Sequence, residues 1–166
     1  MASDIIIRRA TAADINTIHA MAHTIWPPTF GDILSAEQIN YMLNLIYSKP
    51  SLQSQAQQGH IFLLAEAHGN PVAYTDYSLL KNTIYKLNKI YILPSHQGKG
   101  IDRLLIEYII ESIQKENATA LLLNVNRHNK AKDMYERLGF KVIGEEDIDI
   151  GSGYFMNDYI MEKKLK

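Results

Sequence analysis

Apolar positions along this chain alternate between a period near two and a period near 3.6, and the switches mark its elements. Ile5 to Arg9 reads as a first strand. Ile15, Ile18, Met21 and Ala22 then recur at helical spacing behind Thr11-Ala12-Ala13-Asp14, a capping box with Asp in the Glu position. The prolines of Trp26-Pro27-Pro28-Thr29-Phe30-Gly31 predict the end of that helix. A second box, Ser35-Ala36-Glu37-Gln38, opens a helix with Ile39, Met42, Leu43 and Ile46 on one face. Pro50 predicts its end, and polar Ser51 to Gln58 a short helix.

Strand patterns follow. His60 to Ala67 and Val72 to Leu80 flank the turn sequence His68-Gly69-Asn70-Pro71 and predict an antiparallel hairpin, and Ile84 to Leu93 the next strand. Ile101, Leu104, Leu105, Tyr108, Ile109 and Ile113 define one face of a helix. The apolar run Ala120 to Val125 suits a strand covered on both faces. Asn129 to Arg137 reads as a short helix stopped by Gly139, and Lys141 to Ile148 and Tyr154 to Lys163 as strands around Gly151-Ser152-Gly153. The order is that of a mixed α/β chain forming one domain over residues 1–166. Helices after the fourth and fifth strands favour parallel neighbours and a ligand at the carboxyl end of a strand.

Composition narrows the function classes. A hydrophobic fraction of 46% and a charged fraction of 21% are ordinary for a soluble globular protein. A net charge of −1 argues against a broad nucleic-acid footprint. With no cysteine there is no disulfide, thiolate nucleophile or Cys-based zinc site. Met1-Ala2-Ser3-Asp4 shows no basic segment followed by an apolar one, and no stretch approaches about 18 apolar residues, so a cytoplasmic protein with no membrane partner is expected.

The most informative segment is Gln97-Gly98-Lys99-Gly100-Ile101-Asp102, between a predicted strand and a predicted helix. A strand breaking through a glycine-bearing turn into a helix leaves N–H groups converging at the positive end of a dipole, which suits a phosphate or pyrophosphate. Neither common phosphate motif fits. Leu93 and Gly100 stand where a P-loop needs Gly and Ser or Thr, and Arg103 stands where a dinucleotide fingerprint needs its third glycine.

Gln97-x-x-Gly100-x-Asp102 resembles instead the Gln/Arg-x-x-Gly-x-Gly/Ala signature of the GCN5-related N-acetyltransferase (GNAT) family, except at its last position. Downstream, Asn129-x-Ala131-x-x-x-Tyr135-x-x-x-Gly139-Phe140 resembles the family's second signature, and the element order is similar over nearly the whole chain. Trp26 to Phe30 and Asn157 to Met161 are more loosely similar to a branch that includes polyamine acetyltransferases. The resemblance implies a mixed, mostly antiparallel central sheet with a splayed fourth strand and helices on both faces. It further implies acetyl-CoA as cosubstrate and a small amine or peptide as acceptor. Backbone groups of Ile90, Tyr91 and Ile92 would pair with the pantetheine amides, and those of Gln97, Gly98, Lys99, Gly100, Ile101 and Asp102 would hold the pyrophosphate. Relatives commonly pair through the late strands, here Gly151 to Tyr159, which leaves a homodimer open.

Acetyl transfer from a thioester needs a neutral amine, a stabilised oxyanion and a proton for the departing thiolate. By resemblance Tyr135 is the acid, and Asn129 orients the cosubstrate or caps its helix. An N–H of Ile90 or Tyr91 would serve the oxyanion. Many relatives carry Glu on the fourth strand where Asn88 stands here, and an amide is no base, although it can position a water. Glu66 and Asp76 are substitute carboxylates, read first as solvated strand residues. His19 and His23, one turn apart without the Glu of a metal-binding motif, read as polar helix residues, so no metal is expected. His96 and His128 fall in loops flanking the cosubstrate site. Trp26, Phe30 and Tyr41 suit either an aromatic acceptor pocket or an aromatic core, Tyr41 offering the polar handle.

Asp102 is the awkward member. In a first helical turn it gains about 0.3–1 kcal/mol from the dipole. Against a phosphate at about 5 Å it is repelled by about 3 kcal/mol per charge pair at an effective dielectric of about 20, before solvent screening. Weaker CoA binding than with Gly is expected. Three functions compete: an N-acetyltransferase, a CoA-binding regulatory or sensory module with little or no turnover, and a partner-binding scaffold with no ligand. Asn88 and Asp102 favour the second, Tyr135 the first.

Overall fold

The computed structural model describes residues 4–166, so Met1 to Ser3, part of the segment read above for a leader, lie outside the described residues. Strand β1 (Ile5–Arg9) leads into a single 3-10 turn at Ala12–Asp14, where the Asp14 carboxylate accepts the Thr11 N–H at 2.7 Å. Helices α1 (Ile15–Phe30), α2 (Ala36–Tyr47) and α3 (Lys49–Gln57) follow. Then come β2 (Ile61–Ala67), β3 (Asn70–Lys81), β4 (Ile84–Ile92), α4 (Ile101–Gln114), β5 (Ala120–Asn126), α5 (Ala131–Arg137), β6 (Lys141–Gly151) and β7 (Tyr154–Lys164). No helix among the described residues is long and apolar enough to cross a membrane.

Three local expectations are corrected by tertiary packing. Helix α1 does not stop at Trp26 but runs through Pro27 and Pro28 to Phe30. The acceptors these prolines leave without an N–H are the carbonyls of His23 and Thr24, which lie on the exposed side where water can serve them. Trp26 and Phe30, one turn apart on the opposite side, are 3% and 5% exposed, and their burial offsets the lost bonds. Pro50 does not end α2; that helix stops at Tyr47, and Pro50 occupies the first turn of α3, where a missing N–H costs nothing. The Ser35 box forms by half. Its hydroxyl accepts the Gln38 N–H at 3.1 Å, but the Gln38 side chain reaches across to the Phe155 carbonyl at 2.9 Å and ties α2 to β7.

Seven strands form one sheet in the order β1-β2-β3-β4-β5-β7-β6. Every neighbouring pair is antiparallel except β4–β5. The helix after the fifth strand therefore does not create a second parallel pair: α5 carries β6 to the edge, and β7 inserts between them. Helices cover both faces. Against α1, α2 and α3 pack Phe62, Leu64 and Tyr74; against α4 and α5 pack Leu63, Leu87, Leu121 and Leu123.

Pairing between β4 and β5 is incomplete. It covers Ile84 to Leu87 against Ala120 to Leu123 and then stops. Where it stops, β4 carries a bulge: Asp76 pairs with Lys89 and Tyr77 with Leu87, leaving Asn88 as the extra residue. A buried polar cluster sits on the bulge. The Asp76 carboxylate, 0% exposed, accepts from Lys89 Nζ at 2.6 Å and from Asn88 Nδ2 at 3.3 Å, and His60 Nδ1 lies 2.7 Å away. Asn88 also donates to Ser78 Oγ at 2.9 Å, and Lys89 to Gln55 Oε1 at 2.6 Å. Asp76 is thus no solvated strand residue, because Lys89 neutralises it in place. Burial lowers the Lys89 ammonium and the Asp76 charge raises it back in part.

Removing one partner of such a pair strands the other. Lys89→Met is expected to lower the urea-unfolding free energy by about 3–5 kcal/mol. The double variant Asp76→Leu/Lys89→Met should lose less than Lys89→Met alone, because no buried charge is left unpaired.

Candidate active site

Beyond Leu87 and Leu123 the two parallel strands diverge and open a cleft of about 340 Å³. One wall is β4 from Asn88 to Ile92, whose cleft-side edge has no strand partner; the other is β5 from Asn124 with Asn129 and Tyr135 of the segment that follows. At the carboxyl end of β4 stands the glycine turn. Gly98 and Gly100 hold φ of +75° and +79°, which L side chains rarely adopt, and open space surrounds the position a Cβ would take at either. Gly100 is the N-cap of α4. The N–H groups of Gly98, Lys99, Gly100, Ile101 and Asp102 make no backbone hydrogen bond among the described residues. Gln97 folds back so that its Nε2 donates to the Ile92 carbonyl at 3.1 Å, closing the turn onto the strand.

Asp102 stands in the first turn of α4, just after Gly100. It lines the cleft, half-buried, and its Oδ1 accepts the Arg103 N–H at 2.8 Å. Its charge reaches Tyr135. The Tyr135 phenol is raised above its ordinary range, mainly by burial and further by Asp102. Tyr135 is 7% exposed, packs edge-on against Phe140 and lines the cleft, so its ring is structural while its hydroxyl has no hydrogen-bond partner among the described residues. Asn129 likewise has two faces: it lines the cleft, and its Oδ1 accepts the Ala131 N–H at 2.9 Å at the start of α5.

A second cavity of about 250 Å³ lies on the α1–α2 side and shares Leu87, Asn88, Lys89, Tyr91 and Asn124 with the cleft. The two spaces meet at the bulge. Trp26, Tyr47 and Tyr91 form its aromatic wall, with ring centroids 5.5 and 5.6 Å from Trp26. The two aromatic readings are therefore compatible: Trp26 belongs to the core and lines a cavity. Phe30 is core. Tyr41 is not a free handle, since its hydroxyl donates to the Ile150 carbonyl at 2.6 Å.

The remaining polar candidates sit elsewhere. Glu66 pairs with Arg8 at 3.3 Å. His19 Nδ1 and His23 Nδ1 lie 2.7 and 2.8 Å from the carbonyls of Tyr47 and His19. His96 stands beside Ser95 at 2.8 Å and His128 is exposed; neither lines the cleft.

Two residues escaped the sequence reading. Asp158 on β7 is 2% exposed and lines the second cavity. Its Oδ2 accepts from Asn124 Nδ2 at 3.4 Å, and its Oδ1 has no partner among the described residues. Burial raises its carboxyl above the ordinary range. The signal was a charged residue in register with Met156 and Ile160 on a strand, and an amide interrupting the run Leu121 to Val125.

Comparison with known proteins agrees with this fold. The family described as Acetyltransferase (GNAT) domain matches residues 32–157. The chain is 30% identical to a spermidine N(1)-acetyltransferase of Thermoplasma acidophilum over 166 residues, covering 96% of this chain and 97% of the relative. It is 33% identical over 69 residues to the ribosomal protein bS18-alanine N-acetyltransferase of Haemophilus influenzae, covering 42% and 44% of the two chains. A crystal structure of the PaiA N-acetyltransferase of Thermoplasma acidophilum in complex with coenzyme A superposes with a TM-score of 0.81 at 28% identity, over 96% of this chain and 98% of that one. The chain belongs to the GNAT family and is an acetyl-CoA-dependent N-acetyltransferase.

Proposed function

We propose that acetyl-CoA lies in the cleft between β4 and β5 and that its acetyl group is passed, at the bulge, to a primary amine of a small molecule or peptide entering from the second cavity. The observation that carries this reading is that the two cavities meet at Asn88, Tyr91 and Asn124, the point where strand pairing ends. The unpaired edge of Ile90, Tyr91 and Ile92 offers strand-type hydrogen bonds to the amides of an extended arm. The N–H groups from Gly98 to Asp102, at the start of α4, suit the pyrophosphate, with Gln97 bracing the turn. Asn129 stands on the opposite wall. One free N–H of the splayed strand supplies the oxyanion donor.

Tyr135 is the proton donor in this scheme. Its raised phenol keeps its proton through the physiological range, so it enters the reaction as an acid and not as a base. Because such a phenol is a weak acid, loss of its proton to sulfur must be matched by gain of one from the newly acylated nitrogen. Asn88 Nδ2 donates to Ser78 and Asp76, and an amide oxygen is no base, so we assign Asn88 the positioning of β4 rather than proton removal. The acceptors named for the relatives, spermidine and a ribosomal-protein alanine, are both amines and support this class.

Tyr135→Phe is expected to lower kcat about 100-fold or more with the KM for acetyl-CoA within twofold, followed by release of free CoA thiol. A raised KM with unchanged kcat would reduce Tyr135 to a packing residue. Asp102→Gly and Asp102→Asn should each tighten CoA binding about 5- to 10-fold in calorimetric titration, more at low salt, as a like charge leaves the cradle. Unchanged affinity in both would show that Asp102 does not face the phosphates.

A further inference from the structure

We propose that Asp158 is the group that binds the incoming ammonium and takes its first proton, and that its unpartnered Oδ1 is the atom that does so. The inference rests on the acceptor entering through the second cavity, as proposed above. A carboxylate 2% exposed with a vacant oxygen is costly in a finished core, and such groups are rare in native proteins unless a ligand completes them. Here Asp158 lines a cavity, and that cavity meets the cleft at Asn124, the residue that holds the other oxygen. The aliphatic side chains of Ile46, Ile148 and Met156 share the cavity wall, which suits the carbon chain behind an ammonium.

The surroundings leave Asp158 available. From β4, Lys86 acts on it through space and lines the same cavity, with no ion pair between the two among the described residues. Lys89, also on β4, is engaged by Asp76. Arg127, after β5, donates to the Asp158 backbone carbonyl at 3.3 Å and pairs with Asp147 of β6. Glu146 of β6 shares the Asn124 amide at 3.1 Å and adds negative charge. Tyr47 and Tyr91, the phenols in the cavity, are both raised by burial and stay neutral. Among the described residues no cation closes on Oδ1, and burial, with Glu146 adding to it against the opposing pull of Asn124, Lys86 and Arg127, moves the carboxyl above its ordinary value.

The proton balance follows. The ammonium N–H bond breaks and an O–H bond forms on Asp158. The freed lone pair forms the C–N bond to the thioester carbon, and the C–S bond breaks. Sulfur takes the proton of Tyr135, and Tyr135 regains one from the acylated nitrogen. One proton in total leaves the enzyme, from Asp158 to solvent once the amide departs.

The test is Asp158→Asn, assayed with 1,4-diaminobutane and with an alanine-initiated peptide alongside Tyr135→Phe. Expected is a fall of about 100-fold or more in kcat/KM for the better amine, with the KM for acetyl-CoA within twofold. The acidic limb of the wild-type kcat/KM profile should disappear in the variant. Asp158 is penalised when charged, so in the wild type its cost to stability is absent below the unfolded carboxylate pKa, grows as pH rises from that value toward the folded one, and is fully present above it. Asp158→Asn should therefore hold or raise the Tm at pH 7, by up to about 4 °C, whereas a purely structural Asp158 would lower it. Wild-type kcat/KM with an intact acidic limb, or a lowered Tm with unchanged kcat, would overturn the assignment. If Tyr135→Phe is also fully active, the placement of the reaction itself is wrong; if only Asp158→Asn is active, the base lies elsewhere.

Discussion

Asp76 is completely buried and its carboxylate needs donors, and two of them come from consecutive residues, Asn88 and Lys89. In a regular strand those two side chains would point to opposite faces of the sheet. The bulge at Asn88 brings both to the face where Asp76 lies. That same bulge bends β4 away from β5 one residue after their last pair. The charge cluster and the opening of the sheet are one feature, and both cavities depend on it.

From this point the site is arranged by charge. At the far end of the cleft, converging N–H groups and the start of α4 favour an anion, and Asp102 works against them. On the side of the second cavity, Asp158 and Glu146 share the Asn124 amide and place negative charge together. Tyr135 stands between the two as a neutral phenol. Its burial serves packing against Phe140 and keeps its proton in place. Trp26 joins the core to the second cavity in a comparable way, with an Nε1–H that is buried without a partner among the described residues.

Elements whose signal is local were legible in the sequence. The amphipathic α4, the hairpin of β2 and β3 and the Gly139 stop after α5 follow from spacing and turn chemistry alone. So do the glycine turn and the placement of Gln97, Gly100, Asn129 and Tyr135, because their motifs are contiguous and sit at element junctions. Pro27, Pro28 and Gln38 show where that reasoning ends. Each carries a local preference worth a few kcal/mol or less, and the burial of Trp26 and Phe30, or a bond to a carbonyl over a hundred residues away, outweighs it.

Asp76 and Asp158 mark the same limit at the site. By sequence both are acidic residues on strands, and solvent is the ordinary destination for such side chains. Only the fold decides that one meets Lys89 and becomes a structural pair while the other meets a single amide and keeps a vacant oxygen. The sequence by itself determined the family of chemistry and the location of the glycine turn before α4, since such a turn needs only glycines and a helix start in succession. The tertiary structure alone decided where strand pairing breaks and which carboxylate remains available, because burial and charge pairing are set by residues far apart in the chain.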